Sequence, residues 1–192
     1  LTVERGWPIV AFALGGFLLS AAYTAPPLRL KKHGLGEPTV IAVWGPLMVG
    51  GTYYVLAGAW SADVTWLSLV FALGPTTVLF GKHTDKLEAD RRKGVNTLPV
   101  IIGERMARYT IVGMIGAQYL LCIALVLVGS FSWPLLLVLI NLPALPRLLR
   151  VFQQAKPDSP PADYPPEVWP LWFSAHAFAH TLKTFKTASG KS

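Results

Sequence analysis

The chain has 192 residues, of which 53% are hydrophobic and only 14% are charged, and its formal net charge at pH 7 is +7. Ordinary soluble domains carry about 25% charged residues, so this composition indicates that the bilayer solvates part of the chain. The positive charge does not indicate a nucleic-acid partner, because it lies in short loops between apolar runs and no recognition motif accompanies it. Cys122 is the only cysteine, which excludes an intrachain disulfide.

Six apolar runs follow one another along the chain. They cover residues 7–23, 38–58, 64–80, 110–129, 132–149 and 168–182. The first five approach the roughly 20 residues that a membrane helix needs, and the sixth is shorter. The sequence therefore predicts an all-α, multi-pass transmembrane bundle of about five to six spans, with residues 1–192 in a single domain. The first run also has features of a signal peptide, but the further apolar runs after it favour a true span.

Most of the Lys and Arg residues lie in alternate loops between these runs. The basic loops are residues 24–37, 81–109 and 147–167. The intervening turns hold none, and cytoplasmic loops of membrane proteins carry an excess of Lys and Arg. This pattern predicts a protein of the plasma or inner membrane with its basic loops in the cytoplasm. If residues 168–182 span the membrane, Lys183, Lys186 and Lys191 lie outside, against this rule. An interfacial or re-entrant segment and a truncated C-terminus therefore stay open as alternatives.

The first stretch that carries chemistry runs from Tyr23 to Glu37 and reads YTAPPLRLKKHGLGE. Its two prolines end the preceding helix and stiffen the chain that follows. Arg29 and Lys31 then lie at the membrane surface, where their charges can bind a phosphate. On the residues alone, a basic loop that only orients the protein is the favoured alternative.

The second stretch, residues 81–100, reads GKHTDKLEADRRKGVNTLPV and places three acids and five bases at the end of a span. Closely spaced carboxylates attract Mg²⁺, which takes its other ligands from water and substrate phosphates. If a helix continues through the stretch, Lys82, Lys86 and Asp90 share one face. The alternative is a solvated loop whose surface ion pairs contribute little.

These two stretches resemble those of the UbiA-type intramembrane prenyltransferases. The first looks like that family's loop between its fourth and fifth helices, and residues 45–54, GPLMVGGTYY, look like its naphthoate-prenylating branch. Residues 90–98 resemble the family's second aspartate-rich motif and its tail. Over residues 7–150, the resemblance implies transfer of a prenyl group from a polyprenyl diphosphate to an aromatic, quinone-precursor-like acceptor in the membrane. It also implies Mg²⁺ as the cofactor and a place in quinone or related lipid biosynthesis.

The resemblance assigns roles to individual residues. The catalytic candidates are Asp85, Asp90 and Lys86, and the metal ligands are Asp85, Glu88 and Asp90. The diphosphate-binding candidates are Arg29, Lys31, Lys82 and Arg91, and the cavity candidates that flank the reacting prenyl carbon or the acceptor are Tyr23 and Tyr53. The family pattern is Asp-x-x-x-Asp, and matching on Asp90 puts Lys86 where the first Asp is expected, with Asp85 one position early.

The family also carries an earlier aspartate-rich motif after its second helix, and no such cluster precedes Tyr23. The resemblance therefore implies that this chain is the C-terminal part of a nine-helix fold. As an N-terminally truncated member of the family, it would be inactive by itself. Two other functions stay open. One is a transporter or channel subunit, although intramembrane charges that mark a substrate path are almost missing from the runs. The other is a terpene-cyclase-like or non-catalytic relative, which Lys86 in place of the expected aspartate would suit.

His176 and His180 are four residues apart, so a helix would place both on one face. This spacing also occurs in zinc sites, but no third ligand motif accompanies it. Ordinary polar contacts near the end of a span are the favoured interpretation.

Overall fold

The computed structural model describes residues 6–162 and 164–188, and this part of the chain is helical without a named strand. The helices are α1 Pro8–Thr24, α2 Gly36–Ala57, α3 Ala62–Asp85, α4 Leu87–Arg92, α5 Leu98–Ile102, α6 Glu104–Leu127, α7 Trp133–Gln153 and α8 Trp172–Ala188. Short 3₁₀ turns at Leu30–Lys32 and Trp169–Leu171 precede α2 and α8. The predicted all-α fold is confirmed.

Four helices, α2, α3, α6 and α7, are long and apolar enough to cross a membrane. The helices α1 and α8 have 17 residues each and occupy the first and last of the six apolar runs. The protein is therefore a multi-pass membrane protein, as predicted. The core forms where α3 packs against α6 and α8, around fully buried side chains such as Phe80, Ile111 and Phe173.

Helix α2 contains a π-helical segment, Val43–Gly50. Pro46 lies inside this segment and has no N–H to donate, which favours a local widening of the hydrogen-bond pattern. The adjacent glycines permit close helix contacts. A Cβ at Gly45 would lie 3.1 Å from Ala72 Cβ on α3, and one at Gly50 would lie 2.8 Å from the Trp60 ring. These glycines thus have a packing role.

Helix α3 begins where the Ser61 hydroxyl accepts the Val64 N–H at 3.3 Å, and it extends to Asp85. The apolar run on which the prediction rested ends at residue 80, because hydropathy falls at Gly81 and Lys82. Backbone hydrogen bonds do not depend on side-chain polarity, so the helix continues five residues further. The candidate residues Lys82 and Asp85 therefore lie on the last turn of a core helix.

The three basic loops meet at one end of the bundle. His33 in the first loop pairs in parallel with Asn96 in the second. The Asp85 carboxylate, in the second, lies near Tyr164 in the third, and it accepts the N–H groups of Phe173 and Ser174 at the start of α8. The charged segments that are far apart in sequence thus form one polar face above an apolar bundle.

A cysteine-accessibility experiment tests this arrangement in the membrane. We expect Ala59→Cys, in the turn between α2 and α3, and Lys93→Cys, in the second basic loop, to react with an impermeant maleimide from opposite sides. Both positions are exposed, and the native Cys122 is only 1% exposed, so background labelling should be low. Labelling of both positions from the same side would contradict the arrangement.

Candidate functional site

The two motif loops are held together by backbone contacts. His33 bridges to Asn96, and Gly34 next to it has a φ of +73° that L side chains rarely adopt. Arg29 also lies in the left-handed region, with φ 41° and ψ 52°. A non-glycine residue in this conformation is strained, and such strain persists where surrounding contacts impose it, often at functional sites. The backbone of Arg29 is held by its own loop, because its N–H donates to Ala25 O at 3.0 Å and its carbonyl accepts the Lys32 N–H at 2.7 Å.

A buried Glu–His pair joins the two helices that adjoin these motif loops. Glu37 Oε1, at the start of α2, lies 2.7 Å from His83 Nδ1, near the end of α3, and both side chains are at most 3% exposed. The remaining polar atoms, Glu37 Oε2 and His83 Nε2, are buried without a partner. Sequence reasoning missed this pair. The sequence offered one indication of the pair, which is that Glu37 and His83 each lie inside one of the two motif stretches. The two residues are 46 positions apart in the chain.

The Asp85 carboxylate binds the N-terminus of α8. Its two oxygens each accept one backbone N–H at 3.0 Å, from Phe173 and from Ser174. The first N–H groups of a helix lack intrahelical partners, and a carboxylate there is favoured by the helix dipole. Burial, followed by the charge of Asp85, raises the pKa of the nearby Tyr164 hydroxyl. Both carboxylate oxygens already accept N–H groups, so a metal ion at Asp85 would have to share or displace these hydrogen bonds. The metal-ligand role of Asp85 therefore stays a prediction.

The other two predicted metal ligands differ in environment. Glu88 Oε1 forms an exposed ion pair with Arg91 Nη1 at 2.7 Å. Asp90 Oδ2, in contrast, is buried and has no hydrogen-bond partner. An unpartnered buried carboxylate oxygen is costly, so it suits a bound cation. Across residues 6–162 and 164–188, no three His, Cys, Asp or Glu side chains converge on one metal position.

The residues near Asp90 accordingly fit a half-site for Mg²⁺ with one available carboxylate. Such a site requires that water and substrate phosphates complete the coordination, which is the arrangement that Mg²⁺ commonly adopts. Thr97, at the tail of the second motif, is fully buried and its Oγ1 also lacks a partner. Asp90 and Thr97 are thus two buried polar groups of the motif whose bonding capacity the described part of the chain does not satisfy.

The helix breaks at Lys86, whose φ of −104° and ψ of 10° separate α3 from α4. Helical spacing nevertheless persists, because Lys86 N–H bonds to Lys82 O at 3.2 Å and Asp90 N–H bonds to Lys86 O at 2.8 Å. Both lysine side chains are exposed, and within the described residues neither forms an ion pair within 4.0 Å of a carboxylate. Their charges therefore remain available to a ligand.

The two candidate tyrosines occupy different surroundings. Tyr23 lies against Gly36, whose Cβ, if present, would be 3.3 Å from Tyr23 Cε2. The Tyr23 ring lines a cavity of about 190 Å³ together with Thr39 and Trp44. Tyr53 is 37% exposed and does not line that cavity. Arg29 is exposed and Lys31 is half-buried, both on the loop above Tyr23.

Together these features define a helical membrane protein with a basic face at one end of its bundle. Comparison with known families agrees with this class. Residues 4–174 match the UbiA prenyltransferase family. The chain belongs to this family, as the two motifs indicate.

The curated relatives include a phytyltransferase and two synthases. The chain is 26% identical over 146 residues to a 2-carboxy-1,4-naphthoquinone phytyltransferase of Synechocystis sp., covering 76% of this chain and 48% of the relative. It is 32% identical over 137 residues to the bacteriochlorophyll synthase 33 kDa chain of Cereibacter sphaeroides, covering 68% and 45%. It is 28% identical over 182 residues to a digeranylgeranylglyceryl phosphate synthase of Natronomonas pharaonis, covering 93% and 60%.

The chain thus spans about half the length of the first two of these relatives. No solved structure matches it significantly.

Proposed function

We propose that the full-length protein transfers a prenyl group from a polyprenyl diphosphate to an aromatic acceptor within the membrane. The observation that carries this proposal is the unpartnered, buried Asp90 Oδ2 on a basic face that two motif loops form together. Family membership supports the class of reaction, and the names of two relatives support a quinone-like or chlorophyll-like acceptor. Because the chain spans about half of those relatives, the activity is proposed for the full-length protein and not for this part alone.

In the proposed mechanism, Asp90 would hold Mg²⁺ through its unpartnered oxygen. Asp85 and Glu88 are the further predicted ligands, and each would have to give up or share its present partner. When bound, Mg²⁺ supplies positive charge that stabilises the departing pyrophosphate. The chain's own cations neutralise the remaining phosphate oxygens through charge-assisted hydrogen bonds. These cations are Arg29, Lys31, Lys82, Lys86 and Arg91.

The bond between the prenyl carbon and the diphosphate oxygen breaks, and the acceptor carbon forms a new bond to the prenyl carbon and then releases a proton. Tyr23, beside its cavity, presents a π face that can stabilise positive charge at the prenyl carbon. We assign the same function to Tyr53 only as a prediction, because it is 37% exposed and outside the Tyr23 cavity. The surrounding apolar bundle excludes water, which would otherwise compete with the acceptor.

We further propose that the protein lies in the plasma or inner membrane with its basic face in the cytoplasm. The charge alternation of the loops supports this orientation. A soluble diphosphate head would then reach the basic face from the cytoplasm, while the prenyl chain stays in the bilayer.

A direct assay of the full-length protein tests the proposed function. In lipid nanodiscs with phytyl diphosphate and a 1,4-naphthoquinone carboxylate in its reduced form, we expect pyrophosphate release that requires the acceptor. Chelation with EDTA should abolish the release and added Mg²⁺ should restore it. Release without acceptor, with a cyclised hydrocarbon product, would support a terpene-cyclase-like relative instead, and no release with any acceptor tested would contradict the proposal.

The role of Lys86 is tested by Lys86→Asp, which restores the usual Asp-x-x-x-Asp spacing of the family. The exposed Lys86 amine has no carboxylate within 4.0 Å in the described residues, so we assign it a contact with the diphosphate. The substitution should raise the KM for the diphosphate by at least about tenfold, because like charges in a partly desolvated site repel strongly.

Arg105→Asp is the matched control for this substitution. It makes the same change of charge at a likewise exposed position on the first turn of α6. Arg105 is not among the residues assigned to the diphosphate, so the KM should stay within about twofold, because solvent and salt screen a charge that does not contact the substrate. An unchanged KM with equal or higher Mg²⁺-dependent activity in Lys86→Asp would contradict a contact between Lys86 and the diphosphate, and would favour the alternative that Lys86 opposes metal binding by pairing with Asp90.

A further inference from the structure

A second cavity, separate from the site around Asp90, lies between α7 and α8. Its volume is about 540 Å³, and its lining includes five basic or imidazole side chains. These are Arg147, Arg150, His176, His180 and Lys183. None of the residues assigned to the proposed diphosphate site lines it.

The spacing of these residues places them on two facing helix surfaces. Arg147 and Arg150 are three apart near the end of α7, and His176 and His180 are four apart near the start of α8, so each pair shares a face. With a rise of 1.5 Å per residue, His176 lies about 6 Å and His180 about 12 Å along α8 from Trp172. The cavity therefore runs from the polar end of the bundle towards its apolar interior.

His180 gives the cavity a buried polar wall. It is 7% exposed, and its Nε2 lies 3.0 Å from the Tyr119 hydroxyl of α6. Its other ring nitrogen, Nδ1, is buried without a partner. When the hydroxyl donates to Nε2, the neutral ring carries its proton on Nδ1 and offers an unsatisfied donor. Such a donor is costly to bury, so an acceptor in the cavity would stabilise it.

The electrostatics of the cavity favour an anion. No carboxylate is among the described residues that line it, whereas two arginines face it from α7 and a lysine and two histidines face it from α8. Arginine binds phosphate oxygens through paired N–H groups. Basic pockets between transmembrane helices at the cytoplasmic side are a known location for anionic headgroups.

We propose that the cavity between α7 and α8 binds a phosphate group, with Arg147 and Arg150 as the principal cationic contacts and His180 Nδ1 as a buried donor. Two sources share this chemistry: the headgroup of an anionic phospholipid, and a soluble phosphate. In the first case the acyl chains would lie along the apolar surfaces of α7 and α8. In the second, the ligand would enter from the polar end.

Thermal unfolding of the purified full-length protein in neutral detergent tests the proposal. Phosphatidylglycerol, with phosphatidylcholine as the neutral reference, and inorganic phosphate at matched ionic strength are titrated separately. We expect at least one of the two phosphate probes to raise the Tm saturably. A response to phosphatidylglycerol but not to inorganic phosphate identifies a headgroup site, and a response to inorganic phosphate identifies a soluble ligand.

The double variant Arg147→Gln/Arg150→Gln should raise the half-saturating concentration by at least about tenfold, because each arginine contributes a charge-assisted hydrogen bond. Arg105→Gln is the matched control, an exposed arginine outside the cavity, and should leave it unchanged. Should the double variant fail to fold, Arg147→Gln alone, at an exposed position, is measured in the same way. No Tm response to either probe, or an equal response in wild type and the cavity variants, would overturn the proposal.

Discussion

Asp90→Asn in the full-length protein is expected to lower prenyl transfer by at least about 100-fold, a loss of about 2.7 kcal/mol of transition-state stabilisation. The substitution keeps the size of the side chain but removes the negative charge from the one predicted metal ligand whose carboxylate has a buried, unpartnered oxygen. A neutral amide is a poor ligand for Mg²⁺, so the charge that stabilises the departing pyrophosphate would be lost. The measurement is the rate of acceptor-dependent pyrophosphate release at saturating Mg²⁺.

The matched control is Asp158→Asn, which removes the same charge from an exposed loop residue. It should leave the rate within about twofold, because an exposed charge remote from the reacting groups is screened by solvent. The folded fraction of both variants is checked by their thermal unfolding. An Asp90→Asn protein that folds and retains activity within about tenfold of wild type would argue against a metal-ligand role for Asp90.

Gly81→Ala is expected to destabilise the protein by about 2–3 kcal/mol, the upper part of the range for overpacked cores. A Cβ at this position would lie 2.8 Å from Phe173 C and 2.8 Å from Ser174 N, which are backbone atoms of the first turn of α8. Backbone cannot move as a flexible side-chain end can, so α8 must shift. That shift would also lengthen the two N–H contacts of Asp85, which lies one turn further along α3.

Gly113→Ala is the matched control for this effect. Gly113 is also within a long helix, α6, but an added Cβ would meet nothing within 4 Å. Alanine there should be neutral or stabilising by up to about 1 kcal/mol, because it has the higher helix propensity. The free energy of unfolding in detergent is compared for the two variants. Equal stabilities would show that the close approach of α3 and α8 does not constrain residue 81.

Two sets of contacts could not be predicted from the sequence. They are the buried pair of Glu37 and His83, and the cap that Asp85 forms on α8. The motifs identified the stretches that carry these residues, but a motif records neighbours along the chain and not contacts across it. Glu37 and His83 are 46 positions apart, and Asp85 is 88 positions from Phe173. A carboxylate in an aspartate-rich stretch can hold a metal ion or a helix end, and only its distance from other groups distinguishes the two.

The sequence by itself determined the order of the long apolar helices, because each span needs a long apolar run and each charged segment must remain at a membrane surface. It also determined the family, through two motifs that the comparison with known families confirmed. It did not predict the short helices α4 and α5 inside the second basic loop. The tertiary structure decided which carboxylates are available to bind a metal ion. It directs the oxygens of Asp85 to α8, pairs Glu88 with Arg91, and leaves Asp90 Oδ2 without a partner. These outcomes depend on how α3, α4 and α8 pack, and packing arises from contacts between segments that hydropathy and local spacing do not encode.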